Sequence, residues 1–460
     1  MGRLGVFRAY DIRGIYGEEL TPKLGFDIGM AFAQLVGEGG RISVARDARL
    51  SGPVLEAMFK VGVLASGCDV VELGLQPTPI LYFSVAHLKL DGGCVTTASH
   101  NPPEYNGFKL CREGGFSLTY ESGIGKIERQ VTAGALKYKP WNKLGREDCY
   151  DIRPVYEEYL KERIRLSRAL RVVMDAGNGT CGFMGEVLKR LGCKVDVLYG
   201  EPDGRFPNHI PNPLNEETLT ALKRRVVEFE ADLGIAFDGD GDRVGFVDER
   251  GETVRADHAM MIFAEDLIKR RGRQRPRILF DVATSKAVSE YVQQLGGIPK
   301  MTRVGHSYVM EALHEEAAAM AAEISGHYYF ADEHYGFDDG LYAAARMIEI
   351  LSHRESNLSE ITRRLPSYVS TPEKRLECPE DKKFKVVEEV KRRLSSMGYR
   401  LITLDGVRVE VGNAWALVRA SNTEPAIVLR FEGENQEMLN KVRRLIEEAL
   451  GEAMKETHAK

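Results

Sequence analysis

One order of strand, loop and helix occurs three times in the first 300 residues of this chain. Each copy begins with a basic residue and a short apolar run that ends in aspartate, at residues 41–47, 171–175 and 277–281. An amphipathic helical pattern follows, then glycine and a second apolar run. A strand, a helix and another strand in this order form a βαβ unit. Three such units predict parallel or mixed sheets covered by helices, in domains that are copies of one topology.

The chain is long enough for several such units, and its pattern changes near the end. With 460 residues, 43% of them hydrophobic, it can bury several separate cores. The repeat predicts α/β domains over residues 1–148, 149–252 and 253–366. Residues 367–460 instead have the pattern of a strand, a helix, further strands and a last helix, which is typical of a small α+β domain. We therefore predict three similar α/β domains with mixed sheets, followed by a C-terminal α+β domain.

Charge and composition argue against several classes of partner. The formal net charge is only −5, which favours neither nucleic acid nor an anionic membrane as the main partner. The basic run at residues 269–277 is more typical of a solvated loop than of a nucleic-acid site. No apolar run approaches the ~18 residues of a membrane-spanning helix, and the N-terminus becomes charged too early for a signal peptide. Because the seven cysteines are scattered without a CxxC pair, we expect reduced thiols and a cytoplasmic location.

Three aspartates alternate with glycines between two apolar runs. Asp238, Asp240 and Asp242 belong to the sequence DGDGDR, and the flanking runs LGIAF and VGFV have the pattern of strands. Glycine allows a turn tight enough to bring alternate carboxylates onto one divalent cation, without which they would repel. An EF-hand is excluded because its sixth position, here Arg243, must be glycine. The alternative is a polar turn with aspartates capping backbone amides, but Mg²⁺ binding accounts better for three in strict alternation.

A single serine stands in an irregular segment. Residues 96–109 have the sequence TTASHNPPEYNGFK, in which Ser99 is followed by His100, two prolines and Lys109. The prolines restrict the backbone, which suits a nucleophile. Serine also needs a base or a cation, for which His100, Lys109 and a metal are candidates. No GxSxG elbow supports a serine hydrolase. The alternatives are a phosphoserine whose dianion binds the Mg²⁺ of the aspartates, or an ordinary turn serine.

Together with three further segments, these motifs resemble the α-D-phosphohexomutase superfamily, and within it the phosphomannomutase/phosphoglucomutase branch. The further segments are FRAYDIRG at residues 7–14, EISGH at 323–327 and RASNTEP at 419–425, and the likeness covers essentially the whole chain. The resemblance implies four domains around a central cleft, to which each contributes one loop. It also implies an enzyme that interconverts hexose 1-phosphate and hexose 6-phosphate, of mannose, glucose or both, with hexose 1,6-bisphosphate as intermediate and activator.

The resemblance assigns chemical roles to individual residues. Ser99 would be phosphorylated in the resting enzyme, and its phosphoryl group would bind Mg²⁺ together with Asp238, Asp240 and Asp242. The phosphoryl group passes from serine to a free sugar hydroxyl, and the bisphosphate then turns over within the cleft and returns its other phosphoryl group. The residues that would polarise the reacting oxygens or assist proton transfer are Arg13, His100, Lys109 and His327.

The resemblance also assigns the recognition of the phosphosugar. Glu323 and Ser325 would bind the 3- and 4-hydroxyls, which lie near the axis about which the intermediate turns. A site that reads only these hydroxyls accepts either orientation and ignores C2, where mannose and glucose differ. The non-reacting phosphate would bind to Arg419, Ser421, Asn422 and Thr423. The other residues that match substrate-binding positions are Tyr10, Arg243, Arg303, Gly305 and His306.

Two positions depart from the family pattern, and three other functions compete. Arg303 stands where bacterial members commonly carry lysine, and Ala322 stands where many relatives have glycine.

A phosphoglucosamine mutase is the nearest alternative function, although such enzymes usually begin with FGTDGIRG where this chain has FRAYDIRG. The others are a metal-dependent phosphatase, in which water takes the phosphoryl group from serine, and a non-catalytic sugar-phosphate-binding protein. The sequence does not indicate an oligomeric state.

Overall fold

The structure is a computed structural model that describes residues 5–421 and 425–458, with four sheets that follow one another along the chain. The first sheet and its helices consist of β1 (Ile12–Ile15), α1 (Pro22–Val36), β2 (Arg41–Arg46), α2 (Gly52–Ala65), β3 (Asp69–Leu75), α3 (Thr78–His87), β4 (Gly92–Thr96), β5 (Tyr105–Arg112), β6 (Phe116–Ser117), α4 (Gly125–Ala133) and β7 (Glu147–Cys149). The second consists of α5 (Arg153–Arg163), β8 (Arg171–Asp175), α6 (Met184–Arg190), β9 (Lys194–Leu198), α7 (Thr220–Glu228), β10 (Leu233–Phe237), β11 (Val244–Asp248) and β12 (Thr253–Val254).

The remaining elements form the third and fourth sheets with their helices. The third consists of α8 (Ala256–Arg271), β13 (Arg277–Asp281), α9 (Lys286–Gln294), β14 (Ile298–Thr302), α10 (His306–Glu315), β15 (Met320–Ala322), β16 (Tyr328–Phe330), α11 (Gly340–Ser352) and α12 (Leu358–Arg364). The fourth consists of β17 (Val369–Ser370), β18 (Lys374–Glu377), α13 (Lys383–Ser396), β19 (Leu401–Ile402), β20 (Val407–Val411), β21 (Ala414–Ala420), β22 (Ala426–Gly433) and α14 (Gln436–His458).

The first three sheets share one topology, as the repeat predicted. Four strands run in the order β5-β4-β2-β3 in the first, β11-β10-β8-β9 in the second and β16-β15-β13-β14 in the third. In each set the last three strands are parallel and the first is antiparallel to its neighbour. The prediction of three similar α/β units with mixed sheets is confirmed, whereas the domain boundaries near residues 148, 252 and 366 remain predictions.

Burial explains why these units need apolar strands and small residues. Every residue of β4 and β10 is buried, which fits strands covered on both faces by helices. Helices α1 and α2 approach so closely that a Cβ at Gly29 would lie 2.2 Å from the Phe59 carbonyl oxygen, and one at Gly62 would lie 2.2 Å from that of Phe26. Any larger residue at either glycine would push the two helices apart.

The fourth unit has the predicted α+β architecture. Its strands pair in the antiparallel order β17-β22-β21-β20-β19, with β18 also on β22. Helices α13 and α14 cover this sheet through a core that includes Val386, Val390, Val442 and Ile446. The amphipathic patterns of both helices therefore face the sheet.

The loop prediction for residues 269–277 is wrong at both ends, because residues 269–271 belong to α8 and Arg277 is the first residue of β13. Helix α8 continues to Arg271, because Lys269 and Arg270 form ion pairs with Glu265 and Asp266 one turn earlier. The loop begins only at Gly272, where φ is +59°. In the described part of the chain, every helix is too short or too polar to cross a bilayer.

Candidate active site

Each of the first three sheets contributes a loop from the same place in its topology. The serine loop (residues 97–104) joins β4 to β5, the aspartate loop (238–243) joins β10 to β11, and the glutamate loop (323–327) joins β15 to β16. Each loop therefore begins at the carboxyl end of a parallel strand, where α/β proteins place their ligand sites. The three loops are in contact: Ser99 bonds to Asp238, and Arg243 bonds to His327.

Ser99 is held in an unusual backbone conformation with its hydroxyl against the aspartate loop. Its φ is +50°, in the left-handed region that residues other than glycine rarely adopt. The side chain is buried, and its Oγ donates to Asp238 Oδ2 at 2.6 Å. The same Oγ lies 3.0 Å from Nδ1 of His100. The serine hydroxyl thus contacts both a carboxylate and an imidazole, either of which can accept its proton.

The three aspartates of DGDGDR converge, as predicted. Asp238, Asp240 and Asp242 are completely buried, and each offers a carboxylate oxygen within 4.8 Å of the other two. Lys109 on β5 donates to Asp240 Oδ2 at 2.7 Å and also to Asp242 Oδ2. Thr78, at the start of α3, donates to Asp240 Oδ2 at 2.6 Å. One ammonium group therefore compensates part of the charge of three buried carboxylates.

This carboxylate cluster fits a divalent cation. Asp240 Oδ1 and Asp242 Oδ1 are buried and have no hydrogen-bond partner among the described residues. A buried carboxylate oxygen without a partner is costly, and coordination to a cation would satisfy it. Because carboxylate oxygens are the ligands that hard cations prefer, the arrangement suits an ion such as Mg²⁺.

Burial and neighbouring charges push the pKa values of these groups apart. Burial, followed by the charges of Asp242 and Asp240, raises the pKa of Asp238 well above its ordinary value. Burial has the same effect on Asp242, but its interactions with Lys109, His327 and Arg243 outweigh it and hold the pKa of Asp242 well below the ordinary value. For Lys109, burial lowers the pKa, but Asp240 and Asp242 outweigh it and raise the pKa above its ordinary value. Lys109 therefore stays protonated, and its ammonium group compensates negative charge of the three aspartates.

Two predicted catalytic residues flank the serine. His100 is adjacent to Ser99, and burial together with the charges of Arg243 and Arg13 lowers its pKa well below the usual value. Its imidazole is therefore neutral at pH 7. Arg13 on β1 lies 2.6 Å from Asp11 Oδ2 and donates to the side-chain oxygen of Asn101 at 2.7 Å. This places the guanidinium beside the serine loop.

His327 connects the aspartate and glutamate loops. Its Nε2 accepts a hydrogen bond from Arg243 Nε at 3.1 Å, so a neutral ring carries its proton on Nδ1. Nδ1 lies 2.9 Å from Asp338 Oδ2. His306 stacks on the His327 ring at 5.9 Å, and Tyr10 meets the His306 ring edge-on at 5.1 Å. The predicted residues Tyr10, Arg243, His306 and His327 therefore form one contact network.

Glu323 is fixed by two donors. One carboxylate oxygen accepts from the Gly305 amide at 2.7 Å, and the other accepts from the Tyr329 hydroxyl at 2.7 Å. Each oxygen retains a free lone-pair direction for a further donor, such as a sugar hydroxyl. Gly305 has φ +124°, and a Cβ there would lie 2.8 Å from Tyr10 Cε1. This position therefore requires glycine.

The fourth unit contributes Arg419, on β21. Arg419 lies 3.6 Å from Asp405 Oδ2, and the same oxygen accepts from the Val304 amide at 3.3 Å, directly before Gly305. Ser421 is buried, and its carbonyl accepts from Lys383 Nζ at 2.7 Å. The predicted phosphate-binding residues Asn422 and Thr423 lie outside the described residues.

Two other predicted residues contribute less to this network. Ser325 is partly buried within the glutamate loop, two residues after Glu323. Arg303 is exposed, and its guanidinium lies 3.9 Å from the ring centre of Tyr308. Ala322 is the last residue of β15 and pairs with Tyr328.

Sequence reasoning missed Asp338 and Thr78. Asp338 is completely buried next to His327 and His306, and burial raises its pKa to about 7. The only sequence signal was a pair of acidic residues, Asp338 and Asp339, after the aromatic run of β16. Thr78 follows a proline at a helix start, which indicates a helix but not a contact with Asp240.

Comparison with known proteins places the chain in a family. The family models described as phosphoglucomutase/phosphomannomutase, alpha/beta/alpha domains I, II and III, match residues 5–137, 154–251 and 255–368. The model of the C-terminal domain of the same family matches residues 373–449. Together the four matches cover most of the chain, in the order that the fold shows.

Individual relatives agree over nearly their full length. The chain is 39% identical to phosphomannomutase/phosphoglucomutase of Pseudomonas aeruginosa, with 95% of this chain and 94% of the relative covered. It is 37% identical to a probable phosphoglucosamine mutase of Methanopyrus kandleri, with 95% and 96% covered. A crystal structure of a phosphoglucomutase/phosphomannomutase family protein from Burkholderia thailandensis superposes with a TM-score of 0.91 at 37% identity, covering 99% of this chain and 98% of the other. The chain therefore belongs to the phosphoglucomutase/phosphomannomutase family.

Proposed function

We propose that the chain is a phosphohexomutase that interconverts the 1-phosphates and 6-phosphates of mannose and glucose through a phosphorylated Ser99 and a hexose 1,6-bisphosphate. The observation that carries this proposal is the contact of Ser99 Oγ with Asp238 at 2.6 Å, within a cluster of three buried carboxylates. A serine in this place can bear a phosphoryl group whose charge a divalent cation offsets. The names of the relatives at 38–39% identity support the same reaction.

The transfer breaks the bond between Ser99 Oγ and phosphorus and forms one between phosphorus and a sugar hydroxyl oxygen. The hydroxyl loses its proton, and the departing serine oxygen regains one. Arg13, His100, Lys109 and His327 surround this region and are the groups that we assign to polarising the two oxygens and moving the protons. Transfer of this kind depends mainly on positioning and charge stabilisation.

The cluster of Asp238, Asp240 and Asp242 would hold Mg²⁺ together with an oxygen of phosphorylated Ser99. When bound, the ion supplies positive charge to the transferring phosphoryl group. Lys109 already bonds to two of these carboxylates and adds a second cation next to the reacting atoms. The aspartates themselves set the position of the ion because their backbone is fixed between β10 and β11.

Sugar recognition rests on Glu323 and Ser325, with Arg419 and Ser421 for the distant phosphate. The Glu323 carboxylate is held by Gly305 and Tyr329, so its free lone pairs are fixed in direction. A sugar read through its 3- and 4-hydroxyls can bind in either orientation, as a bisphosphate intermediate must. The same arrangement makes no contact that distinguishes the two configurations at C2, which accounts for the use of both mannose and glucose.

Turnover on three sugar phosphates tests the proposal. With catalytic hexose 1,6-bisphosphate and Mg²⁺, we expect mannose 1-phosphate and glucose 1-phosphate to be converted with kcat/KM values within about tenfold of each other. We expect glucosamine 1-phosphate to react more slowly than either, since residues 7–14 have the sequence FRAYDIRG and not the FGTDGIRG that is usual in phosphoglucosamine mutases. Equal or faster turnover of glucosamine 1-phosphate would identify a phosphoglucosamine mutase instead. Release of inorganic phosphate that needs no bisphosphate would identify a phosphatase.

Gly239 is expected to be essential because it lies against the serine loop. A Cβ at Gly239 would lie 2.6 Å from the Ser99 carbonyl oxygen and 3.3 Å from Pro211 Cγ. We expect Gly239→Ala to displace Ser99 and to lower kcat by about 10²-fold, since a shift of 1 Å has that order of effect. Gly451→Ala is the matched control, because Gly451 is helical and has open space around it. The control should raise stability by about 0.5–1 kcal/mol with unchanged turnover. Wild-type turnover in Gly239→Ala would contradict this close contact.

A further inference from the structure

Arg49 is a completely buried arginine in the turn that follows β2. Its guanidinium donates to four backbone carbonyls of the serine loop and its flank: Nη2 to Ser99 at 3.0 Å and Asn101 at 2.6 Å, Nη1 to Pro102 at 2.5 Å and Tyr105 at 2.9 Å. Its Nε donates to Asp47 Oδ2 at 3.1 Å. All five N–H donors of the side chain are therefore used.

The sequence of the serine loop explains why such a donor is needed. Pro102 and Pro103 have no N–H group, so the loop has few backbone donors of its own, although the Tyr105 amide also donates to the Pro102 carbonyl at 3.1 Å. A buried carbonyl without a donor costs about 1–3 kcal/mol. A planar guanidinium can serve several carbonyls that converge from different directions, whereas the three donors of a lysine ammonium cannot do so in the same geometry.

The same group holds Ser99 in its strained conformation. The Ser99 carbonyl accepts from Arg49, and the Ser99 amide donates to Thr97 Oγ1 at 2.9 Å. Thr97 Oγ1 in turn donates to Asp47 Oδ2 at 2.8 Å, the oxygen that also accepts from Arg49. Both peptide groups of Ser99 are thus anchored to the Asp47–Arg49 pair. A φ of +50° costs about 1–3 kcal/mol and persists only where the surroundings enforce it.

The second unit also contacts Arg49, through Phe206 and Gly204. The Phe206 ring centre lies 5.2 Å from the guanidinium carbon of Arg49. A Cβ at Gly204 would lie 2.6 Å from the Arg49 Cα, so the loop after β9 packs directly on this turn. Arg49 is therefore fixed by its own turn, by the serine loop and by the unit that carries the aspartate cluster.

We propose that Arg49, with Asp47, is the positioning residue that holds Ser99 against the aspartate cluster; this rests on the proposed role of Ser99 as the phosphoryl carrier. Arg49 turns four carbonyl oxygens toward itself, and so away from the negatively charged phosphoryl group that Ser99 would bear. Its guanidinium bonds to the Ser99 carbonyl, whereas the Ser99 hydroxyl bonds to Asp238. Its loss should therefore slow phosphoryl transfer while the binding of the sugar phosphate through Glu323 and Arg419 is kept.

Arg49→Lys tests this with Arg346→Lys as a matched control. Arg346 is also buried, but it bonds to Asp266 and Glu349 on the far helices of the third unit. We expect Arg49→Lys to lower kcat by about 10²-fold with KM changed by less than about threefold, the pattern of a displaced reacting group. Arg346→Lys should lower the melting temperature to a similar extent and leave kcat near the wild-type value.

Rescue and hydrogen exchange separate positioning from a merely structural role. We expect millimolar guanidinium to raise kcat of Arg49→Ala at least about tenfold and to leave kcat of Arg346→Ala unchanged, because only the first variant lacks the donor that the serine loop needs.

The amides of residues 98–101 and 104–106 should exchange faster in Arg49→Lys but not in Arg346→Lys. Equal kcat losses in the two lysine variants, or loop amides that exchange as in the wild type, would overturn the inference. Absence of wild-type mutase turnover would instead overturn the proposed function, and the exchange measurement would still test the hold of Arg49 on the loop.

Discussion

Replacing Ser99 with alanine is expected to lower mutase turnover by at least about 10⁴-fold, because the variant has no oxygen to carry the phosphoryl group. The fold should survive, since the substitution removes one hydroxyl that bonds to Asp238 and His100 and leaves the packing intact. Steady-state kinetics, the melting temperature and the intact mass of the protein check the three parts of this expectation. The wild-type protein should gain one phosphoryl group from hexose 1,6-bisphosphate, and Ser99→Ala should gain none.

Ser84→Ala is the matched control for this experiment. Ser84 is a buried serine on α3 whose hydroxyl bonds to Ser43 and to the Leu81 carbonyl. Its removal should lower stability by about 1 kcal/mol and leave turnover and phosphorylation unchanged. Turnover in Ser99→Ala within tenfold of the wild type, or phosphorylation of that variant, would show that another residue is the carrier.

The fold was largely predictable because its signals are local. The strands and helices of the three repeats follow from apolar periods within about ten residues, and β2, β8 and β13 lie where the sequence predicted them. The aspartate loop was predictable for the same reason, since its three aspartates stand within five residues between two strands. The error at residues 269–271 also has a local cause: the ion pairs to the preceding turn extend α8.

The rest of the site depends on contacts between distant segments. Arg49 meets Ser99 from 50 residues away, and Thr78 meets Asp240 from 162 residues away. Neither residue stands in a motif, because an arginine or a threonine in a turn is ordinary in itself. Asp47 did carry a signal as the aspartate that ends the first strand of the repeat. Its equivalents Asp175 and Asp281 also accept an amide of the following turn, from Gly177 and Ala283.

The repeat explains why distant motifs meet. The serine, aspartate and glutamate loops each follow the strand that pairs in parallel with the first strand of its repeat: β4 pairs with β2, β10 with β8 and β15 with β13. Equivalent positions in three copied units thus supply Ser99, the three aspartates and Glu323, to which we assign the roles of phosphoryl carrier, cation ligands and sugar-binding carboxylate. The loops at this one place in the topology carry different side chains, which is how one fold supports different chemical roles.

Lys109→Met is expected to make the stability of the protein depend strongly on divalent cations. Without Mg²⁺ the variant leaves three buried carboxylates without the ammonium that bonds to Asp240 and Asp242. We expect this to lower the free energy of unfolding by about 3–5 kcal/mol. Its melting temperature should fall by roughly 5–10 °C in a chelator and recover largely in millimolar Mg²⁺. Lys60→Met is the matched control, since Lys60 also bridges two carboxylates, Glu72 and Glu147, but near the surface. For Lys60→Met we expect the free energy of unfolding to fall by less than about 1 kcal/mol, and Mg²⁺ should not raise its melting temperature.

Adding Asp240→Asn to Lys109→Met separates charge repulsion from simple loss of packing. Neutralising one carboxylate should raise the melting temperature of Lys109→Met in chelator, because fewer like charges face one another in the buried cluster. It should also weaken the recovery with Mg²⁺, because an amide is a poorer ligand than a carboxylate. If the melting temperature of the double variant in chelator were lower still, the assignment of the destabilisation to charge repulsion would be contradicted. An undiminished response to Mg²⁺ would contradict the assignment of Asp240 as a ligand. Since both effects are read from melting temperatures, they test the proposed binding of a cation by the three aspartates independently of turnover.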